Sequence, residues 1–356
     1  MAIKDEQLEL IPDWSIELDG RALEPEVVPD VLSVEVEQHV NGPDTFEVAV
    51  NIWDTDVQDY KWIDDGTFAE GREIRITMGY GEEHTDLIVG EIVAAQADFG
   101  DTDSPVLRVQ GYDKLHRLRR GRKTRTFADV KDSEAAELIA QDLQLSAQIE
   151  ESEVVHAYLV QHNQSDIDFL AERARRIHFE LDVVDGVLIF RPSAHADGKT
   201  VTLTYRRDLR KFEARLSTLA QVDKVSVRGW NPQAKEAIVG LATESDVTTN
   251  MAGNTLGAAI TKEAFGESEM IVVDQVVFSQ TEADQMARAL LNEICMRFIE
   301  AEGETLGNPA IRAGEVVELD KLGTRFSGLY YVTRAQHIVD DQGYVTRFSC
   351  QRNAAS

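Results

Sequence analysis

Residues that could perform chemistry are plentiful in this sequence, but they form no recognisable catalytic or metal-binding pattern. Asp and Glu number 64, so pairs of carboxylates arise by chance alone. The nearest histidine pair, His156 and His162, does not have the spacing of metal ligands on a helix. There is no glycine-rich phosphate loop, nucleophile elbow or HExxH motif. We therefore predict no catalytic, cofactor-binding or metal-binding residues and no enzymatic activity, although a hydrolase with an unmarked carboxylate site stays open.

Positive charge is concentrated in one short stretch of an acidic chain. The formal net charge is −28, and such a surface disfavours sequence-independent nucleic-acid binding and repels anionic membranes. The basic side chains of the stretch are Arg117, Arg119, Arg120, Arg122, Lys123 and Arg125. They are either a solvated connector or a candidate interface with an acidic neighbour, and nucleic-acid binding is a third interpretation. We carry them forward as a candidate interface.

Nothing in the sequence indicates secretion or membrane insertion. Residues 1–14 lack the apolar core of a signal peptide, and no window approaches the roughly 20 apolar residues that span a bilayer. Cys295 and Cys350 are too few for a disulfide framework or a zinc site. We expect synthesis in the cytoplasm, no stable membrane association and no specific nucleic-acid partner.

The clearest local unit runs from Gln161 to Arg191. Ser165 is a favourable N-cap, with Asp168 three residues later as the partner of a weak capping box. Apolar residues then recur at helical spacing, at Ile167, Leu170, Ala171, Ala174 and Ile177. From Phe179 the period switches to two, and the Asp-Gly pair at 185–186 is a two-residue hairpin signal. This pattern predicts a capped helix that leads into a tight β-hairpin.

Short alternating strands lie on both sides of this unit, and some of them repeat. Strands are predicted at residues 14–18, 31–40, 45–53, 74–78, 87–96, 106–111, 200–205 and 224–230. Residues 314–319 resemble residues 71–76, and residues 326–332 with the Ala-Gln pair at 335–336 resemble residues 87–93 with the Ala-Gln pair at 95–96. Gly90 and Gly328 align in this comparison, since each lies 16 residues before the next strand. The many short strands indicate a β-rich α+β fold with a barrel or a sandwich. The repeat is either a coincidence among short strands or an internal duplication that gives two related barrels.

Three further segments, two helices and one irregular stretch, are predicted from the sequence. Residues 131–145 are predicted to form a helix that is capped by Asp132 or Ser133. Residues 243–270 lack clear periodicity, and we expect a mobile loop or an insertion with little core. Ser279 opens the longest predicted helix, which reaches about Glu302 and is stopped by Gly303.

The unit at 161–191 also resembles the signature of a known family. In the late-control-gene-D family, a Gln-x-x-x-Ser/Thr-Asp segment opens a helix that ends in an aromatic-rich hairpin. The matching residues here are Gln161, Ser165, Asp166, Phe169, Leu170 and Phe179. The closing segment matches through Gly314, Phe326, Gly328, Tyr330, Val332, His337, Gly343, Tyr344 and Phe348. This family contains the baseplate hubs of contractile phage tails and extracellular contractile injection systems, and the hub portion of type VI valine-glycine-repeat spike proteins.

The resemblance implies a structural hub without cofactors. Such a protein is a homotrimer with two similar tube-type antiparallel β-barrels and helix-hairpin insert domains in each chain. The six barrels of the trimer then match a hexameric inner tube or its initiator protein. A trimeric spike docks below, and baseplate wedge proteins surround the hub. We expect the spike to be a separate polypeptide, because no spike module follows the second barrel pattern before Ser356. We also expect an acidic channel, and a place in an assembled phage tail or a released injection particle.

The expected domains follow from this interpretation. Residues 1–115 form the first barrel, and residues 116–198 form the domain with the helix and the helix-hairpin unit. Residues 199–240 and 304–356 form the second barrel, and residues 241–303 form an insertion with a mobile loop and the long helix. A polysaccharide-binding or hydrolysing β-protein is an alternative that predicts a monomer with clustered exposed aromatic residues. A tail-tube initiator subunit is a second alternative, which predicts one barrel and a hexamer.

Overall fold

The computed structural model describes residues 12–81, 83–100, 104–184, 186–193, 201–232 and 234–355. Within these ranges strands predominate and helices are few, which confirms the β-rich α+β class. The first strands are β1 (Pro12–Leu18), β2 (Arg21–Ala22), β3 (Val31–His39), β4 (Thr45–Asn51), β5 (Trp53–Asp54), β6 (Asp59–Tyr60), β7 (Glu73–Tyr80), β8 (Glu83–Asp98) and β9 (Val106–Asp113). The middle of the chain forms β10 (Lys123–Lys131), α1 (Asp132–Asp142), β11 (Ser146–Ile149), β12 (Val155–Gln164), α2 (Asp166–Arg176), β13 (Phe179–Val184) and β14 (Val187–Pro192). The remainder forms β15 (Val201–Thr204), β16 (Leu209–Leu216), β17 (Lys224–Asn231), β18 (Glu236–Thr243), β19 (Thr255–Leu256), α3 (Gly257–Phe265), β20 (Glu269–Val272), α4 (Gln280–Met296), β21 (Ile299–Leu306), β22 (Val316–Asp320), β23 (Gly328–Asp340), β24 (Gly343–Arg352) and β25 (Ala354–Ala355).

One large sheet runs through both ends of the chain. Its strand order is β16-β21-β24-β23-β3-β4-β9-β8-β7-β1-β2, with β22 also paired to β23 and β15 paired to β22. The two halves join where residues 334–339 of β23 pair antiparallel with residues 34–39 of β3. The first part of β23 pairs instead with β22. The predicted pair of barrels therefore corresponds to two parts of one continuous sheet.

Each half of the large sheet has its own apolar core. Strands β3 and β4 alternate, so that Val34, Val36 and Val48 are fully buried on one face. In the second half Ile299, Val317, Tyr330, Val332 and Phe348 form a separate cluster. The glutamates at the intervening positions of these strands lie on the opposite face of the sheet.

The helix-hairpin unit forms as the sequence predicts. Helix α2 begins at Asp166, and the Ser165 hydroxyl accepts a hydrogen bond from the backbone N–H of Asp168 at 3.2 Å. Strands β13 and β14 pair as an antiparallel hairpin, while Asp185 of the predicted turn lies outside the described residues. Strand β11 adds parallel to β14, and β10 pairs with β12. Leu170, Leu181 and Phe190 are fully buried between these elements.

A unit built from residues 224–296 differs from the expectation. Strand β17 pairs with β18 and β20 in a separate three-stranded sheet, and α4 packs on that sheet. Strands β17 and β18 thus lie outside the large sheet, although residues 224–240 are expected in the second barrel. Residues 243–270, expected as a mobile loop or an insertion with little core, contain β19, α3 and the start of β20. Their glycine and alanine content reflects close packing, since a Cβ on Gly257 would lie 2.2 Å from the Phe298 ring.

Two helix boundaries also differ from the prediction. Helix α4 ends at Met296, and the segment from Ile299 to Leu306 is strand β21. Glutamates alternate with buried residues at 299–305 with a period of two. This alternation coincides with the apolar positions of the predicted helix only at Ala301. In α1, Asp132 and Ser133 lie inside the helix and do not cap it, because the Asp132 carboxylate is engaged in long-range contacts.

Candidate assembly interface

Part of the predicted basic interface is held inside the helix-hairpin unit. Lys123 Nζ and Arg125 Nη2 both lie 2.7 Å from carboxylate oxygens of Asp166, whose side chain is 2% exposed. The Gln161 amide donates to Asp166 at 2.9 Å, and its oxygen accepts from Arg125 Nε at 2.7 Å. The Gln161 and Asp166 positions of the sequence signature therefore fix strand β10 against the start of α2. Lys123 and Arg125 have a structural role here.

A second part is held by a carboxylate at the end of the pairing between β7 and β8. Arg117 Nε lies 3.0 Å and His116 Nε2 lies 2.7 Å from Glu91 Oε2. Burial alone would raise the pKa of Glu91, but the hydrogen bonds from Arg117 and His116 outweigh it and lower that pKa below its usual value. Arg117 therefore forms an ion pair with Glu91 of the same chain.

The remaining basic side chains are exposed. Arg119, Arg120 and Arg122 lie on the surface, and Arg122 donates to the Asn163 carbonyl at 2.9 Å. Arg120 lines a cleft with Val93, at the point where β8 leaves β7. The candidate interface is therefore reduced to these three residues, and its role in binding stays a prediction.

The structure contains the same strand unit twice. In the first half, the Gly71 N–H donates to the Ile92 carbonyl at 2.7 Å, and the Ile92 N–H donates to the Arg72 carbonyl at 3.0 Å. In the second half, the Gly314 N–H donates to the Val332 carbonyl, and the Val332 N–H donates to the backbone carbonyl of Glu315, both at 2.9 Å. Both glycines have positive φ, at 86° and 82°. The two halves therefore repeat a hydrogen-bond pattern as well as a sequence pattern.

A β-bulge fixes how the two units correspond. The register shifts between Ile92 and Ala94 against β9, and between Val332 and Arg334 against β24. This alignment makes Ala95-Gln96 equivalent to Ala335-Gln336, as the sequence predicts. It makes Gly328 equivalent to Ile88, so the predicted alignment of the glycines at 90 and 328 is wrong by two residues.

The face of the large sheet opposite the cores carries rows of charged side chains. Gln336 Nε2 donates to Glu35 at 2.5 Å, and Arg334 Nε lies 2.7 Å from Glu37, both across the join between β23 and β3. Further along the sheet, Arg347 Nε lies 3.1 Å from Glu304. Cross-strand pairs of this kind stabilise a specific register. The face is therefore polar and mixed in sign.

A buried charge network connects the helix-hairpin unit with α4. Asp132 accepts from Arg173 Nε at 2.5 Å and lies 3.0 Å from His156 Nε2. Glu282 on α4 lies 3.9 Å from His156 Nδ1 and 3.2 Å from Arg176. No local pattern signals this network, because its first three members are 17 to 41 residues apart. The spacing of His156 from His162 therefore gives no sign of this role.

Buried acidic residues lie where the β3–β4 turn meets β9 and β13. Asp44 Oδ1 accepts from the His39 N–H at 2.9 Å, and Asp113 Oδ2 accepts from the Asp44 N–H at 3.0 Å. Burial raises the pKa of Asp44 well above its usual value, and the neighbouring Asp113 and Asp182 raise it further. Burial likewise raises the pKa of Asp113, to about 7. These carboxyl groups therefore oppose folding once they ionise.

We expect Asp44→Asn to stabilise the protein increasingly as pH rises. A raised pKa in the folded state gives stability that is present at low pH and lost as pH rises through the folded value. Asparagine removes this loss and keeps an oxygen for the His39 N–H. The difference in unfolding free energy between variant and wild type should grow by more than about 1 kcal/mol from pH 4 to pH 8. Urea titrations at both pH values measure it, and the exposed control Asp56→Asn should show no such growth.

The histidine of the last strands is structural. His337 Nε2 lies 3.1 Å from the Ile311 carbonyl, and Nδ1 lies 2.9 Å from the Tyr344 hydroxyl. Complete burial lowers the pKa of His337 to about 3, so the ring is neutral and donates to the carbonyl. His337 is therefore a buried, hydrogen-bonded residue of strand β23.

A cleft of about 520 Å³ lies between α2, α4 and the second half of the sheet. Its buried carboxylate, Glu180, accepts hydrogen bonds from the Ser193 hydroxyl at 2.6 Å and from the Tyr331 hydroxyl. In the described part of the chain, no group of three His, Cys, Asp or Glu side chains could hold a metal ion. None of the helices in those ranges is long and apolar enough to cross a bilayer.

This chain matches a known protein family in sequence and known structures in fold. A family model of the Alg8 N-terminal domain matches residues 9–341. The chain belongs to the Alg8 N-terminal domain family. No curated protein matches this member of the Alg8 N-terminal domain family.

Solved structures with a similar fold include phage tail proteins. The 43 kDa tail protein of prophage MuSo2 from Shewanella oneidensis is 14% identical to this Alg8 N-terminal domain chain with a TM-score of 0.71, over 96% of this chain and 98% of that one. A tail protein from Neisseria meningitidis MC58 is 10% identical with a TM-score of 0.68, over 96% of both chains. An E. coli component of the type VI secretion system is 11% identical with a TM-score of 0.62, over 95% of this chain and 77% of that one. This Alg8 N-terminal domain chain therefore shares the fold of tail and type VI secretion proteins.

Proposed function

We propose that this protein is the structural baseplate hub of a contractile tail or injection system, as its resemblance to the late-control-gene-D family implies. In this proposal three copies form a homotrimer that joins a hexameric inner tube, or its initiator protein, to a separate trimeric spike. The central channel continues through the trimer, and baseplate wedge proteins surround it. The role is mechanical, and no reaction is catalysed.

The duplicated strand unit carries this proposal. Each chain contains the same bulged, glycine-initiated unit twice, within one sheet that joins both halves. Three chains would supply six such units, and closed rotational symmetry then matches a sixfold partner on one side and a threefold partner on the other. In this proposal each half of the sheet rolls into one of the two barrels. The fold shared with tail and type VI secretion proteins supports it.

The proposal also assigns surfaces. The polar face of the sheet lines the channel, where carboxylates such as Glu35 and Glu47 alternate with arginines. Arg119, Arg120 and Arg122 are the candidate contact with an acidic neighbour in the baseplate. The protein is made in the cytoplasm and ends in an assembled tail or a released particle.

Solution mass tests the proposal. Sedimentation velocity of the purified full chain, alone and mixed with the tube and spike proteins of its parent particle, should show a species of three times the monomer mass. Electron microscopy of the mixture should show a ring with an open channel between tube and spike. A chain that stays monomeric in both conditions, or that forms hexamers, would contradict the hub assignment.

A further inference from the structure

We propose that neighbouring copies join by antiparallel pairing of residues 93–98 of β8 with β16 of the next copy, where Gln96 donates a hydrogen bond to Glu213. This inference rests on the proposed trimer and specifies the surface that forms it. It follows from one open strand edge in each half of the chain, and from the way the equivalent edges of the two halves pair with each other inside the chain.

The first open edge belongs to β8. Pairing of β8 with β7 ends where Glu91 meets Glu73, whereas pairing with β9 continues to Asp98. Residues 94–98 therefore have a strand on one side only among the described residues. All residues from Val93 to Asp98 are exposed. An unpaired strand edge of this length is a template for another strand.

The second open edge belongs to β16. Within the described residues, its ladder pairs only with β21 and forms the end of the large sheet. Its side chains are mostly exposed or half-buried. Arg210, Lys211 and Arg215 give it a positive balance against the single carboxylate of Glu213, in a chain whose net charge is −28. Residues 93–98 carry one charged side chain, Asp98, so the net charges of the two edges are opposite in sign.

The repeat shows how these edges should meet. Immediately after the bulge, Ala94 is the first residue of a row of cross-strand partners. Ala94 pairs with Gln110, Gln110 pairs with Glu47, and Glu47 pairs with Glu35. In the equivalent row of the second half, Arg334 pairs with Ser349, Ser349 pairs with Glu302, and Glu302 pairs with Glu213. Strand β16 is therefore the counterpart of β3, and Glu213 is the counterpart of Glu35.

Inside the chain, the counterpart junction is already made. β23 pairs with β3 so that Gln336 lies opposite Glu37, and the Gln336 amide donates to Glu35 at 2.5 Å. Transferring this register to the open edges places Gln96 opposite Arg215 and within reach of Glu213. It also places Asp98 opposite Glu213, with Lys211 and Arg215 of the same strand on either side.

Burial supports the same correspondence. Ala335 and His337 are fully buried where β23 pairs with β3. Their counterparts, Ala95 and Ala97, point to the core side of the sheet and are exposed. These small residues become covered if a neighbouring strand continues the sheet, as β3 does at the other junction.

Cysteine cross-linking tests the register. Residues directly opposite in an antiparallel pair have Cβ atoms about 4.5–5.5 Å apart, so the double variant Gln96→Cys with Arg215→Cys should oxidise to a covalent trimer on a non-reducing gel. Gln96→Cys with Ala214→Cys is the matched control and should not cross-link, because Ala214 points to the other face. The native Cys295 and Cys350 are both buried.

A charge swap tests the predicted hydrogen bond. In an Arg215→Gln background, which removes the opposite arginine, Gln96→Glu sets two carboxylates together and should weaken trimer association at least about tenfold. Adding Glu213→Gln should restore most of it, because the amide and carboxylate exchange places. Gln342→Glu adds the same charge at an exposed turn and should leave association unchanged.

The outcomes separate this inference from the proposed function. A wild-type trimer without the specific cross-link and with no effect of Gln96→Glu would overturn the strand pairing and leave the hub assignment standing. A wild-type chain that remains monomeric with tube and spike proteins present would overturn both. The cross-link together with rescue by the swap establishes the pairing.

Discussion

Asp132→Ala is expected to lower the free energy of unfolding by about 3–5 kcal/mol. Asp132 is fully buried and binds Arg173 and His156, which are 8% and 7% exposed. Removing the carboxylate leaves the Arg173 guanidinium buried without its charge partner, and that desolvation is costly. Since these groups join α1, β12 and α2 and contact α4 through Glu282, the packing among these four elements should loosen.

Urea unfolding measures the loss, and hydrogen exchange locates it in α1 and α2. The matched control is Asp142→Ala, which breaks an ion pair with Arg125 at a side chain that is 55% exposed and should cost less than about 1 kcal/mol. Equal losses in the two variants would show that burial of the Asp132 network adds nothing.

The same network should make the protein sensitive to acid. Burial alone would raise the pKa of Asp132, but the hydrogen bonds and charges of His156 and Arg173 outweigh it and lower that pKa. A lowered pKa gives stability that is present above the unfolded value and lost as pH falls through the folded one. The cost of Asp132→Ala relative to wild type should therefore shrink in strong acid.

Gly240→Ala is expected to cost about 3 kcal/mol or more, because it separates β18 from α4. A Cβ at Gly240 would lie 2.1 Å from the carbonyl carbon and 2.2 Å from the oxygen of Ala283. These are backbone atoms of the helix, so no side chain can rotate away, and overpacking of this kind strains the core. Buried Met286 and Leu291 on α4 would lose their fit against the three-stranded sheet.

Thermal unfolding and hydrogen exchange in β18 and α4 test this prediction. Gly42→Ala is the control, because its Cβ would have only the His39 Cβ within 4 Å, at 3.7 Å. A Gly240→Ala variant as stable as the control would mean that the helix can move away from the sheet without loss.

The sequence predicted best where the determining contacts are local. The Ser165 cap, the hairpin that follows α2, and the Ala-Gln repeat at 95–96 and 335–336 each depend on neighbouring residues or on a repeated pattern. The end of α4 was less predictable, because a strand that alternates apolar residues with glutamates matches helical spacing at some positions. Tertiary pairing with β16 and β24 decides in favour of the strand there.

Long-range features could not be predicted from local patterns. The placement of β17 and β18 depends on β20 and α4, which follow them by tens of residues. The ion pairs that occupy Lys123 and Arg125 depend on Asp166, which is 41 to 43 residues away. A run of positive charge in the sequence therefore indicates available cations, and only the fold shows which of them remain exposed.

The join between β3 and β23 has a consequence during synthesis. The partners Glu37 and Arg334 are 297 positions apart, so a ribosome adding roughly 5–20 residues per second leaves β3 without its second neighbour for about 15–60 s. Throughout that interval the outer edge of β3 could capture strands of other nascent chains. Glu35 and Glu37 place repelling charges along it, so the nascent chain carries its own protection against aggregation until the last strands emerge.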